Sequence, residues 1–73
     1  MKSYNIQFHL ISETGYETTL TFEECYEINI NDRTFEFTDV YSGYRYVYYL
    51  KDIPDTQSAK VIDNIIIKEN EVN

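Results

Sequence analysis

The chain has 73 residues, with 13 acidic and six basic side chains, and a formal net charge of -7 at pH 7. A chain of this length forms one small domain, residues 1–73, and buries only about 60% of the surface that it exposes when unfolded. The negative charge argues against direct binding to nucleic acid or to an anionic membrane, and no apolar run approaches the roughly 20 residues of a membrane-spanning helix.

The acidic side chains are concentrated in the first half of the chain. No lysine or arginine occurs from Ser3 to Asp32, a segment that we call the base-free window, whereas seven acids face five bases from Arg33 to Asn73. The window contains six carboxylates: Glu13, Glu17, Glu23, Glu24, Glu27 and Asp32. A surface of this charge density attracts basic surfaces, which in a cell are mostly sites for DNA, RNA or polyphosphates.

Alternating side chains predict two strands at the start of the chain. Apolar, aromatic or threonine side chains occupy every second position from Tyr4 to Leu10 and from Tyr16 to Phe22. A three-residue loop at 13–15 suits a hairpin, because its last residue, Gly15, tolerates a left-handed conformation. The resulting register places three pairs on one face: Leu10 with Thr18, Phe8 with Leu20, and Ile6 with Phe22.

Three further strands are predicted at about 26–30, 33–41 and 44–51. The first of their turns would be Asn31-Asp32 and the second Ser42-Gly43. These turns give the pairs Ile28 with Phe35, Tyr26 with Phe37, Phe37 with Tyr48, and Phe35 with Leu50. The predicted fold class is therefore mainly β, an antiparallel meander of about five to six strands with one shared core face.

Two segments leave alternatives open. Residues 23–25 form either a bulge or a single helical turn, because glutamates suit a tight hairpin turn poorly. Pro54 interrupts the sheet, since proline removes a ladder donor. Beyond it the sequence allows a short helix near residues 55–62 followed by a last strand from Ile65 to Lys68, or a fourth hairpin that turns at Asp63-Asn64.

The sequence offers no candidate catalytic, cofactor-binding or metal-binding residue. His9 is predicted to face Thr19 on the side of the sheet opposite Phe8, without a partner base. Cys25 lies among glutamates, which would raise its pKa and oppose thiolate chemistry. No zinc or calcium spacing and no glycine-rich phosphate loop occurs in the chain. We therefore expect a protein that is not an enzyme.

A single cysteine and the lack of a signal-peptide pattern predict a reducing, cytoplasmic environment. Cys25 has no second cysteine with which to form an intramolecular disulfide bond. No basic segment followed by an apolar run occurs near Met1.

Glutamates alternate with the predicted core residues, and no lysine lies between them. Strand and residue spacings of about 4.8 and 6.6 Å place such carboxylates at distances similar to those between phosphates of a nucleic-acid strand. The alternative is a solvated face that keeps the domain soluble. The predicted partner-binding residues are Glu13, Glu17, Glu23, Glu24, Glu27, Asp32 and Glu36.

A tyrosine-rich hairpin supplies a second candidate surface. Tyr46 and Tyr48 point to the predicted core, while the alternating residues point outward. An exposed apolar layer on so small a domain favours a homodimer. The predicted residues of this dimer or second interface are Tyr41, Tyr44, Val47 and Tyr49.

In size, charge and composition, with the base-free window as its core, the chain resembles the small acidic proteins that bacteriophages make against host DNA-handling machinery. These include DNA-mimic inhibitors of sliding clamps, of uracil-DNA glycosylase and of CRISPR nucleases. The resemblance implies a non-enzymatic inhibitor in the host cytoplasm that occupies the DNA-binding surface of a replication or defence protein. A sliding clamp is favoured, because a symmetric dimer suits a basic ring channel. The alternative is a small oligomeric adaptor or structural protein that uses the tyrosine-rich face.

Overall fold

A computed structural model describes residues 2–53 and 59–71 of the chain. Its elements are β1 (Tyr4–Ile11), β2 (Glu17–Ile30), β3 (Thr34–Asp39), β4 (Arg45–Leu50) and β5 (Val61–Glu69). The strands form a closed barrel in the order β1-β2-β3-β4-β5. Strand residues make up 66% of the structure, which confirms the mainly-β prediction. No helix long and apolar enough to cross a membrane occurs in the described part of the chain.

The first hairpin has the predicted register. Leu10 pairs with Thr18, Phe8 with Leu20 and Ile6 with Phe22. Gly15 adopts a φ of 85°, and the loop is closed by a 2.8 Å hydrogen bond from the Ser12 amide to the Tyr16 carbonyl. Glycine at the end of the loop therefore provides the left-handed conformation that the hairpin requires.

The predicted register between β2 and β3 is wrong. Phe35 pairs with Ile30 instead of Ile28. The reason is Asn31, whose Oδ1 accepts hydrogen bonds from the backbone nitrogens of Arg33 at 2.7 Å and Thr34 at 2.8 Å. The Asn31 side chain thus mimics a backbone turn, as asparagine side chains often do. As a result, the turn lies one residue further along the chain than predicted.

The predicted register between β3 and β4 is also wrong, by two residues. Phe35 pairs with Tyr48 and Phe37 with Tyr46. The loop is longer than two residues because Asp39 organises it: its backbone carbonyl accepts from the Gly43 amide at 2.8 Å. A shift of two leaves every side chain on its predicted face, since strand side chains alternate with period two.

The barrel closes through β5, which is antiparallel to β1 and parallel to β4. The parallel contact is short and pairs Tyr49 with Val61 and Leu50 with Ile62. The alternative prediction of a fourth hairpin that turns at Asp63-Asn64 is wrong, because both residues lie inside β5. The extended conformation predicted for residues 65–68 is confirmed. The predicted helix is not seen over 59–62, and its remaining part, up to residue 58, lies outside the described residues.

Three bulges bend the strands that close the barrel. Each contains a residue other than glycine with a positive φ: Glu24 at 55°, Glu27 at 51° and Asn64 at 53°. Each lies where a register shifts by one residue, in β1–β2, β2–β3 and β1–β5 respectively. Residues 23–25 are therefore a bulge and not a helical turn, and β2 continues through both bends for 14 residues.

The core lies between the strands and is mainly aromatic. The buried residues are Ile6, Phe8, Cys25, Phe35, Phe37 and Ile62. The ring of Phe8 lies 4.9 Å from that of Tyr48, and the ring of Phe22 lies 4.9 Å from that of Phe37. Aromatic rings bury a large apolar area per residue, which helps so short a chain to form a core.

Candidate functional site

The carboxylates of the base-free window are collected on one strand and its two ends. Four of them, Glu17, Glu23, Glu24 and Glu27, belong to β2, while Glu13 and Asp32 lie in the loops before and after it. The side chains of all six residues are exposed. We call β2 with the adjoining loop residues that carry Glu13 and Asp32, residues 12–32, the acidic strand.

Three of the six basic side chains pair with carboxylates of the described residues, and all three partners lie outside the window. Three ion pairs involve lysine or arginine in the described residues: Lys2 with Glu69 at 3.5 Å, Lys51 with Asp63 at 3.3 Å, and Arg45 with Glu36 at 2.9 Å. None of them includes a carboxylate of the window. Within the described part of the chain, the carboxylates of the acidic strand therefore have no lysine or arginine partner.

Glu36 differs from the other predicted partner-binding residues. Its Oε1 accepts hydrogen bonds from Nε of Arg45 at 3.1 Å and from Nη2 at 2.9 Å, while Nη1 donates to Thr38 at 2.9 Å. The Glu36 side chain is only 26% exposed. Arg45 on β4 thus compensates the charge of Glu36. The sequence-based prediction rested only on the absence of lysines near the glutamates and missed this arginine.

Several carboxylates lie close together where the bulge at Glu24 meets the loop after β3. The Val40 amide donates to the Glu24 carbonyl at 3.2 Å. The negative charge of Glu24 raises the pKa of the Tyr41 hydroxyl, and desolvation and the charges of Glu23 and Asp39 act in the same direction. Several carboxylates therefore act on one exposed phenol at this end of the barrel.

Cys25 is buried beside this region. Burial raises the pKa of its thiol to about 11, and the charge of Asp39 contributes. The predicted direction is confirmed, but burial and Asp39, not the neighbouring glutamates, are the causes. A thiol with such a pKa is protonated near neutral pH and is a poor nucleophile.

His9 lies opposite Thr19, as predicted, but it also has a partner that sequence reasoning missed. Its Nδ1 lies 2.8 Å from Oδ1 of Asp63, and its Nε2 lies 3.8 Å from Oε1 of Glu17. The hydrogen bond with His9 is the main cause of the lowered pKa of Asp63, and Lys51 adds to it. The described residues contain no group of three or more side chains suited to hold a metal ion.

The tyrosine-rich surface is exposed on the outside of the barrel. Its residues lie on β4 and in the loop before it: Tyr41, Tyr44, Val47 and Tyr49. Tyr46 and Tyr48 pack against the core instead, and burial raises the pKa of Tyr48. The alternation of these side chains therefore agrees with the sequence prediction.

The fold and its surfaces define a small five-stranded β barrel with an acidic strand whose carboxylates have no lysine or arginine partner among residues 2–53 and 59–71. Comparison with protein-family models, with curated proteins and with solved structures gives no match to this chain. The two exposed surfaces are therefore the basis for a functional proposal.

Proposed function

We propose that this chain is a non-enzymatic inhibitor that places its acidic strand on a basic DNA-binding surface of another protein. The observation that carries the proposal is the pairing of charges. Lys2, Arg45 and Lys51 lie next to carboxylates outside the base-free window, so the window keeps its negative charge at the surface. A carboxylate strand of this kind attracts a surface built to bind phosphates.

The inhibition requires no chemistry. Carboxylates that occupy a phosphate-binding surface exclude DNA from it, and complementary charge accelerates the encounter. Two copies of the chain carry a formal charge of -14, twice the -7 of one chain. That charge equals the phosphates of about seven base pairs, or about 24 Å of duplex. A homodimer would therefore present a charge comparable to a short DNA segment.

The resemblance to bacteriophage DNA mimics supports a host replication or defence protein as the target. We favour a sliding clamp, whose ring channel is a basic surface that accepts a symmetric partner. The relevant compartment is then the host cytoplasm.

Capture from bacterial lysate tests this proposal. The immobilised protein should retain a DNA-binding protein at low salt and release it to a polyanion, because both ligands occupy the same basic surface. The captured protein should also be released by duplex DNA. Retention that is insensitive to salt and to DNA would contradict the proposal.

The tyrosine-rich surface supports a second candidate, a small oligomeric adaptor. Tyr41 and Tyr44 are about equally exposed, at 70% and 69%, and Val47 and Tyr49 lie on the adjacent strand. Exposed tyrosines are typical of protein interfaces. Partner binding through this surface should depend little on salt, which separates it from binding through the acidic strand.

A further inference from the structure

A cleft opens between the acidic strand and the loop that follows β3. Its volume is about 310 Å³, which is at the small end of the range for ligand-binding sites. Two carboxylates and two aromatic rings contribute to its wall. The lining residues are Thr21, Phe22, Glu23, Asp39 and Tyr41.

Asp39 is the most buried charged group of this cleft, with 8% of its surface exposed. Its Oδ2 accepts a hydrogen bond from the Ser42 amide at 3.1 Å, while its Oδ1 has no hydrogen-bond partner among the described residues. No described side-chain oxygen or nitrogen that is sealed from solvent lacks a partner. Oδ1 is therefore accessible to solvent, and Asp39 is one of the residues that line the cleft. A carboxylate in so enclosed a position is stabilised by a donor, most strongly by a cationic one.

The aromatic side chains of the cleft also favour a cationic ligand. The ring of Phe22 is fixed by neighbours, with ring centroids 4.9 Å from Phe37 and 5.0 Å from Tyr46. Tyr41 is exposed, and the pKa of its hydroxyl is raised by Glu24 first and by Glu23 and Asp39 as well. A cation in the cleft would lie in this negative potential and next to aromatic side chains, an arrangement that favours a cation.

We propose that this cleft binds a cationic side chain, the guanidinium of arginine or the ammonium of lysine, from the protein partner. The inference rests on the proposed function, because the partner's basic DNA-binding surface supplies that side chain. No lining residue of the cleft is basic, so the ligand meets no competing cation there. The planar guanidinium fits best, since it stacks on a ring while it donates to carboxylates.

Titration with small probes, followed by amide NMR, tests the site directly. Nα-acetyl-arginine amide should shift the amides of residues 21–23 and 39–41 in a saturable manner, and Nα-acetyl-lysine amide should do so more weakly. Nα-acetyl-citrulline amide has nearly the same shape without the charge and should not bind. Equal shifts with citrulline, or arginine shifts of equal size at Glu13 and Asp32, would overturn the inference.

Variants locate the binding. Tyr41→Ala should weaken binding of the arginine probe about two- to fivefold, and Glu23→Gln should do so to a similar extent. The matched controls are Tyr16→Ala, at a tyrosine that is 68% exposed, and Glu71→Gln, at an exposed carboxylate outside the window. Both controls should leave probe binding unchanged. Equal losses in Tyr41→Ala and Tyr16→Ala would contradict the cleft.

The two proposals can fail separately. If neither cation binds the cleft while replacement of Glu17, Glu23 and Glu27 together by Lys, a charge reversal of the acidic strand, still prevents capture of the partner, the cleft inference is wrong and the inhibitor proposal stands. If the cleft binds arginine while charge reversal has no effect on the captured protein, the inhibitor proposal is wrong and the cleft is a cation site of another function.

Discussion

Glu24 and Glu27 both adopt a left-handed backbone conformation, with φ values of 55° and 51°, on either side of the point where β2 changes partner. Between them, Cys25 pairs with Tyr4 of β1 and with Asp39 of β3. This conformation costs a residue with a Cβ roughly 1 to 2 kcal/mol, whereas glycine adopts it readily. The two bends thus place strained glutamates within the acidic strand.

Glu24→Gly should keep or raise the free energy of unfolding, by up to about 1 kcal/mol, because removal of the Cβ relieves the strain. Glu23→Gly is the matched control, since Glu23 is an exposed neighbour without a positive φ. There we expect a loss of about 0.5 to 1 kcal/mol. Urea unfolding measures both variants. Equal losses at the two positions would contradict the bulge assignment.

Phe35→Ala should lower the free energy of unfolding by about 3 to 5 kcal/mol, because it leaves a cavity in the aromatic core. Phe35 is fully buried. The adjacent Glu36→Ala should cost at most about 1 kcal/mol, since it removes only a partly exposed ion pair with Arg45. Chemical denaturation of the two variants tests which face of β3 is internal. A larger effect at Glu36 than at Phe35 would reverse that assignment.

Glu24→Gln should lower the pKa of the Tyr41 hydroxyl towards its ordinary value. The carboxylate of Glu24 is the first cause of the raised pKa, because its charge opposes formation of the phenolate. NMR titration with labelled tyrosine rings can follow the Tyr41 resonance. Glu71→Gln serves as the control with the same loss of charge. Equal changes in the pKa of Tyr41 in the two variants would mean that Glu24 has no local effect on this hydroxyl.

The contact between His9 and Asp63 should contribute stability at neutral pH that is lost in acid. The pKa of Asp63 is lowered in the folded state, so its ionised form stabilises the fold above the ordinary aspartate pKa. This contribution disappears as the pH falls through the ordinary value towards the lowered one. Urea unfolding of His9→Ala should show a deficit near pH 7 that shrinks on acidification. A deficit that stays constant into the acid range would contradict this linkage.

Local patterns were sufficient for the first hairpin and for the faces of β3 and β4. The face of β2 was wrong at its bulges, because Tyr26 was predicted in the core whereas Cys25 is the buried residue there. Gly15 marks the loop, and three pairs confirm one register. The later registers depended on how Asn31 and Asp39 bond to the backbone of their turns, which alternation does not reveal. An error of two residues preserves the faces, which is why Phe35 and Phe37 were correctly placed in the core.

The acidic strand was visible in the composition, but its charge balance and its cleft were not. Arg45 on β4 pairs with Glu36 on the neighbouring strand β3. His9 contacts Asp63, 54 residues away in sequence, because β1 and β5 pair when the barrel closes. The cleft is lined by Glu23, next to the bulge at Glu24, where no glycine marks the bend. Contacts distant in the sequence therefore decide which carboxylates stay free.

Reversal of charge on the acidic strand tests the proposed function most directly. The variant with Glu17, Glu23 and Glu27 changed to Lys and the control with Asp52, Glu69 and Glu71 changed to Lys both move the formal charge from -7 to -1, a change of two per residue. The two sets therefore make the same change in net charge at different places on the surface. The corresponding triple change of the acidic strand to Gln should give an intermediate effect, since it removes attraction without adding repulsion.

The measurement is the affinity of each variant for the captured DNA-binding protein at low salt, in competition with duplex DNA. We expect the acidic-strand Lys variant to lose affinity by orders of magnitude and the control to retain most of its affinity. The reason is that binding depends on where the carboxylates lie and not only on the net charge. Full affinity and full competition with DNA in the acidic-strand variant, or equal losses in both variants, would contradict the account.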